Sequence, residues 1–226
     1  LSHCASNIPN VLSLSTACIS PISIKSLIEF AKSEEEYELF AQFIPWDDQF
    51  TVNISNLNYK ISSISYLHYA FLLENLDLIK YVLKNKLCNP DRICCFSESE
   101  LQGEGKIYSM SFTTAVFMQT LVPSNQSHRK KLFELFKLCV ANNANVNQTF
   151  EVAGLTSSYL IKSAEDNNEL FKFLLAHPKI EVNLSINGVA VIHHLAIEDK
   201  ADALAQLAAT AKFNPNLQVY SCDYYT

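Results

Sequence analysis

Four stretches of this chain repeat one text: a helix face of apolar residues, then a polar loop carrying asparagine. Leu78, Ile79, Val82 and Leu83 precede Asn89. Leu135, Phe136, Cys139 and Val140 precede a loop that ends at Asn147. Leu170, Phe171, Leu174 and Leu175 precede one that ends at Asn183, and Leu204 and Leu207 precede Asn214 and Asn216. Recurrence at i, i+3 and i+4 places each set on one side of a helix. A single such helix cannot bury that side alone, so copies must stack and the stack is the core. Only 4 of 226 residues are glycine, which argues against glycine-cradled phosphate loops and favours a helical chain. With 49% apolar and 18% charged residues the chain can build a packed core.

Each apolar helix has a shorter helix before it. The clearest is Ser65-Tyr-Leu-His-Tyr-Ala-Phe-Leu-Leu, with a break near Glu74-Asn75 before the second helix, Leu76–Leu83. The last is Gly188-Val-Ala-Val-Ile-His-His-Leu-Ala, with its second helix at about Ala201 to Ala209. These units resemble the ankyrin repeat, whose pattern is T-P-L-H-x-A, a turn, an apolar helix and an Asn-containing loop. Leu67, His68 and Ala70 stand at the motif's Leu, His and first Ala, and Ile192 and His193 at its Leu and His. Tyr66 and Val191 replace the motif Pro. The resemblance implies structural roles for these five residues, with the motif His linking its own turn to a neighbouring hairpin.

Counted at the motif Leu (Leu67, Ala115, Tyr159, Ile192), the spacings are 48, 44 and 33, against a usual period of about 33. The excess falls at about Arg92 to Tyr108 and Leu121 to Arg129, read as two loop insertions. The expected fold is all-α: an ankyrin-repeat solenoid of about four repeats (60–91, 108–147, 152–183 and 186–216) with short hairpin fingers. A divergent helical cap or degenerate repeat covers 24–59, where Glu29 is aligned with the motif His. Residues 1–23 are an N-terminal extension and 218–226 a tail. The chain starts at Leu1 without an initiator Met and reads as an excised piece of a longer protein.

The chemistry the residues exclude is as informative. Net charge is −6, the wrong sign for a nucleic-acid footprint, and no apolar run reaches the 18 or more residues of a membrane span. The seven cysteines contain no C-x-x-C pair, which fits free thiols in a reducing cytosol. No Walker loop, dinucleotide fingerprint, H-E-x-x-H or EF-hand loop is present. His193-His194 lacks a Cys or carboxylate at ligand spacing, so neither a metal nor a cofactor is expected. No catalytic residue is assigned.

The resemblance implies protein recognition through finger tips and the exposed side of the first helices, with no nucleic acid and a monomeric chain. Transferred by position, the finger candidates are Ile61 and Ile64, then Met110 and Phe112, then Val189. On the helices they are Leu72 and Leu73, His194 and Ile197, with Glu198, Ala164 and Glu165 in the same class. Phe96, Tyr108 and Phe150 are aromatic anchors in the loops. Leu72 and Leu73 stand out because apolar residues at exposed positions mark interfaces. The Asn-, Ser- and Lys-rich, glycine-poor text is similar to ankyrin effectors that intracellular bacteria deliver into host cells. The implied partner is then a eukaryotic host protein and the setting the host cytosol. The alternative is a substrate-recruiting piece of a larger enzyme whose catalytic domain lies outside this chain.

Overall fold

The computed structural model describes residues 21–54, 59–98, 107–122, 125–152 and 155–218. One pattern recurs among them: a helix, a second helix and, after each of the first four pairs, two β-strands. The helix pairs are α1 (Pro21–Phe30) with α2 (Glu34–Phe40), α3 (Tyr66–Leu72) with α4 (Leu76–Lys84), and α5 (Phe112–Leu121) with α6 (Gln126–Ala141). They continue with α7 (Tyr159–Asp166) and α8 (Asn168–Leu175), then α9 (Val191–Ile197) and α10 (Ala201–Ala208). The chain divides into two compact units, residues 1–109 and 110–226.

The all-α expectation is corrected. Strands β1 (Gln49–Ile54), β2 (Tyr59–Ser65), β3 (Ile93–Glu98) and β4 (Ile107–Ser111) form one four-stranded sheet in that order. Strands β5 (Thr149–Val152) with β6 (Leu155–Ser158), and β7 (Ser185–Ile186) with β8 (Val189–Ala190), form two-stranded sheets, so the fold is mixed. The physical reason lies in runs such as Gln-Phe-Thr-Val-Asn-Ile and Ile-Cys-Cys-Phe-Ser-Glu, rich in β-branched and aromatic residues and suited to a pleated surface. The stretch read as an insertion at 92–108 supplies β3 and the first two residues of β4, and β3 pairs with β2 from Tyr59↔Glu98 to Ser63↔Cys95.

In the first unit, α1 and α2 join through Ser33. Its hydroxyl accepts the amide of Glu36, and the Glu36 carboxylate accepts the amides of Ser33 at 2.9 Å and Lys32 at 2.7 Å. This capping box satisfies N–H groups that the helix cannot. Those backbone bonds hold the Glu36 carboxyl below its ordinary pKa. Asn75 ties the two helix pairs together. Its carbonyl oxygen caps α4 at Leu78 and accepts the Tyr37 hydroxyl, while its amide donates to the Ile28 and Ala31 carbonyls at the end of α1. Beneath lie Ile28, Leu67, Leu78, Ile79 and Leu83, all fully buried. Trp46 is buried too, and its indole N–H donates to Ala41 O at 2.7 Å. Phe50 of β1 stacks on Tyr66 with ring centroids 4.4 Å apart, fixing the sheet against α3.

The second unit is centred on aromatic rings. Phe117 lies 4.6 Å from Tyr159, 5.6 Å from Phe136 and 5.7 Å from Phe150 between centroids. A buried polar chain threads the same place: Ser111 Oγ to Thr114 Oγ1 at 2.9 Å, Thr114 Oγ1 to the Tyr159 hydroxyl at 2.8 Å, and both Ser111 and Tyr159 to Gln148 Oε1. The asparagine loops explain themselves. Asn147 donates to Lys179 O and accepts the Glu181 amide, and Asn183 donates to Lys212 O and accepts the Asn214 amide. In the first unit Asp47 likewise accepts the Asn89 amide. In these three pairs the later loop bonds its backbone to a side chain of the earlier one.

Helix caps correct the register of the middle repeats. Ser65, Ser111 and Ser158 each accept the amide three residues on, and Ala190 occupies the same place before α9. Thr113 and Leu160, rather than Ala115 and Tyr159, are therefore level with Leu67. The 121–129 insertion is mostly helix, since α6 begins at Gln126 and runs for 16 residues.

Candidate functional site

The first helices α1, α3 and α9 end at turns that leave apolar side chains in water. Leu72 and Leu73 are each 41% exposed at the end of α3. Phe30 is 74% exposed at the end of α1, which packs against α3. In the second unit Ile197 is 55% exposed at the end of α9. Phe30, Leu72 and Ile197 each lie three residues before the N-cap of the next helix, Ser33, Asn75 and Lys200. Sequence reading missed Phe30 because it set Glu29 level with His68. Counted back from those caps, Ser26 is level with His68 and Phe30 with Leu72. Glu29 instead accepts the Tyr69 hydroxyl.

Several finger candidates are corrected. Ile64 and Phe112 are fully buried, flanking the caps Ser65 and Ser111, and present nothing to a partner. Phe150 is buried against Phe117 and Tyr159. Met110 and Val189 are half-buried. Ile61 pairs with Val52 between β1 and β2. The surroundings of the Ile61, Phe96 and Tyr108 side chains lie outside the described residues. Ala164 and Glu165 are half-buried, and Asp166 is exposed beside them.

Leu67 and Ala70 are fully buried. His68 is buried with Nδ1 2.7 Å from Ser65 Oγ, and burial pushes its pKa down to about 3, so the ring is neutral. The motif His here bonds the cap of its own helix. Ile192 and His193 are half-buried, and Ala190 offers no hydroxyl where Ser65 serves His68. His193 Nδ1 accordingly has no hydrogen-bond partner among the described residues. His194 is half-buried; burial lowers its pKa against the opposing pull of Glu165 and Glu198.

Carboxylates rim these apolar ends. In the first unit a cleft is lined by Glu29, Lys32, Leu73, Glu74 and Asp77 among others. In the second, Glu198 and Asp199 directly follow Ile197, and on α7, which packs against α9, Glu165 and Asp166 hold Lys162 at 2.5 Å and 3.9 Å. Burial pushes the Cys88 thiol up to about 12 and raises Cys94 further, so neither is a nucleophile at neutral pH. Among the described residues no group of three His, Cys, Asp or Glu could hold a metal ion. No described helix is long and apolar enough to cross a membrane. No protein-family model matches the chain, and a search of the curated proteins found no significant match.

Proposed function

We propose that this chain is a protein-recognition module built from ankyrin-like units, and that it binds through the exposed ends of its first helices. One observation carries the reading: Phe30, Leu72 and Leu73 remain in water at the ends of two packed helices that bury Ile24, Ile28, Tyr66, Leu67 and Tyr69. Clustered exposed apolar groups within a charged rim are the usual mark of an interface. The repeated caps and loop-to-loop bonds suit a rigid platform, which loses little entropy on binding. The raised thiols of Cys88 and Cys94 argue against either as the nucleophile of a cysteine hydrolase. A host-cell protein as partner has composition as its sole support.

The test is affinity capture from eukaryotic cytosol, comparing the parent with a Leu72→Ser/Leu73→Ser variant of unchanged circular dichroism. A protein held by the parent and lost by the variant is the expected result. Identical capture by both would place recognition elsewhere and overturn the proposal.

A further inference from the structure

Resting on that surface, the charges around it indicate what kind of partner it takes. The cleft beside Leu73 has a volume of about 410 Å³ and contains the carboxylates of Glu29, Glu74 and Asp77 against one ammonium, Lys32. Lys32 also faces Glu36 and Lys80 pairs with Asp77 at 3.4 Å, so the carboxylates here still outnumber the ammonium groups. Glu74 is held out by a left-handed backbone, φ 55°, in the turn directly after Leu73. At Ile197 in the second unit two carboxylates, Glu198 and Asp199, likewise follow the exposed apolar side chain, with Asp199 in a left-handed backbone, φ 53°.

An apolar end ringed by acid is matched by a partner with the reverse pattern. We propose that the partner docks with a polypeptide segment whose apolar side chains are flanked by lysine or arginine. The apolar groups cover Phe30, Leu72 and Leu73, and the cationic heads reach Glu74 and Asp77 while their aliphatic stems lie over the leucines. Anionic lipid headgroups and nucleic-acid phosphates carry the wrong charge for this rim.

The probe is a fluorescein-labelled amphipathic peptide of leucine and lysine, read by fluorescence anisotropy. Controls are the same peptide with glutamate for lysine and with serine for leucine. The leucine–lysine peptide should bind, and both controls should fail. Glu74→Gln/Asp77→Asn should weaken binding about fivefold, as expected for two partly screened charges. Glu169→Gln/Asp202→Asn removes the same net charge from exposed second-helix sites and should change nothing. Binding of the glutamate peptide as tightly, or equal loss in both neutralised variants, would overturn the basic class of partner. Equal binding of the lysine peptide to parent and Leu72→Ser/Leu73→Ser would overturn the surface itself. If a protein captured from cytosol is lost with Leu72→Ser/Leu73→Ser yet held undiminished by Glu74→Gln/Asp77→Asn, the surface stands and the basic partner falls.

Discussion

Replacing Tyr159 by Phe isolates one hydroxyl in the second unit. The ring stays, and with it the contacts to Phe117, Phe150 and Phe136 at 4.6, 5.5 and 5.6 Å between centroids. What goes is the bond to Thr114 Oγ1 at 2.8 Å and the longer one to Gln148 Oε1 at 3.2 Å. Thr114 and Gln148 both keep Ser111 at 2.9 Å, so neither is stranded in the core. The cost should be that of a made bond and not of an orphaned polar group, about 1 kcal/mol. Tyr159→Ala removes the ring as well and should cost about 3–5 kcal/mol. Ser111→Ala combined with Tyr159→Phe removes both partners, so the pair should lose at least about 0.5 kcal/mol more than the sum of the singles. Urea titration followed by far-UV circular dichroism measures this as a shift in midpoint at constant m. A Tyr159→Phe cost above about 2 kcal/mol, or a strictly additive double variant, would refute the shared network.

Further expectations concern stability and reactivity. Leu174→Ala deletes a fully buried side chain of α8 and should cost roughly 2–5 kcal/mol in the same titration. Ala190→Ser restores the missing cap of α9 and a partner for His193 Nδ1, and should stabilise by about 1 kcal/mol, read as a rise in melting temperature. His68 is neutral when folded and has a depressed pKa of about 3, whereas the unfolded chain protonates near its ordinary 6.5. Its contribution is therefore complete above pH 6.5 and is lost as pH falls towards 3, on the order of 1 kcal/mol per pH unit, and His68→Asn should flatten that slope. Iodoacetamide should label Cys88 and Cys94 in the folded protein more slowly than a free model thiol, checked by mass spectrometry of peptides.

The second helices and their loops were legible because their signals are local. The faces of α4 and α6, and Leu170, Phe171 and Leu174 of α8, are buried, and Asn147 and Asn183 each bond the backbone of the next loop. The strands were hidden by length. Val189–Ala190 is two residues long, too short for alternation to register, and β3, which pairs with β2, lies within a segment read as an insertion. The middle repeats were misaligned because Thr113 and Thr114 do not resemble Leu-His. Their equivalence lies in the Ser111 hydroxyl, which bonds Thr114 as Ser65 bonds His68. At the candidate site, Leu72 and Leu73 were legible from position alone. Phe30 became legible only from the cap Ser33, and burial of Ile64 and Phe112 follows from side-chain direction next to a cap, which spacing does not encode.

The central claim is that the ends of the first helices meet a protein partner. A photo-crosslinking amino acid placed at Leu72, at Phe30 and, as a control, at Lys130 on α6 tests it most directly. The account predicts one shared adduct in cytosol from positions 72 and 30 and none from 130. Adducts from 130 alone, or none from 72 and 30 while the parent still captures a protein, would contradict it.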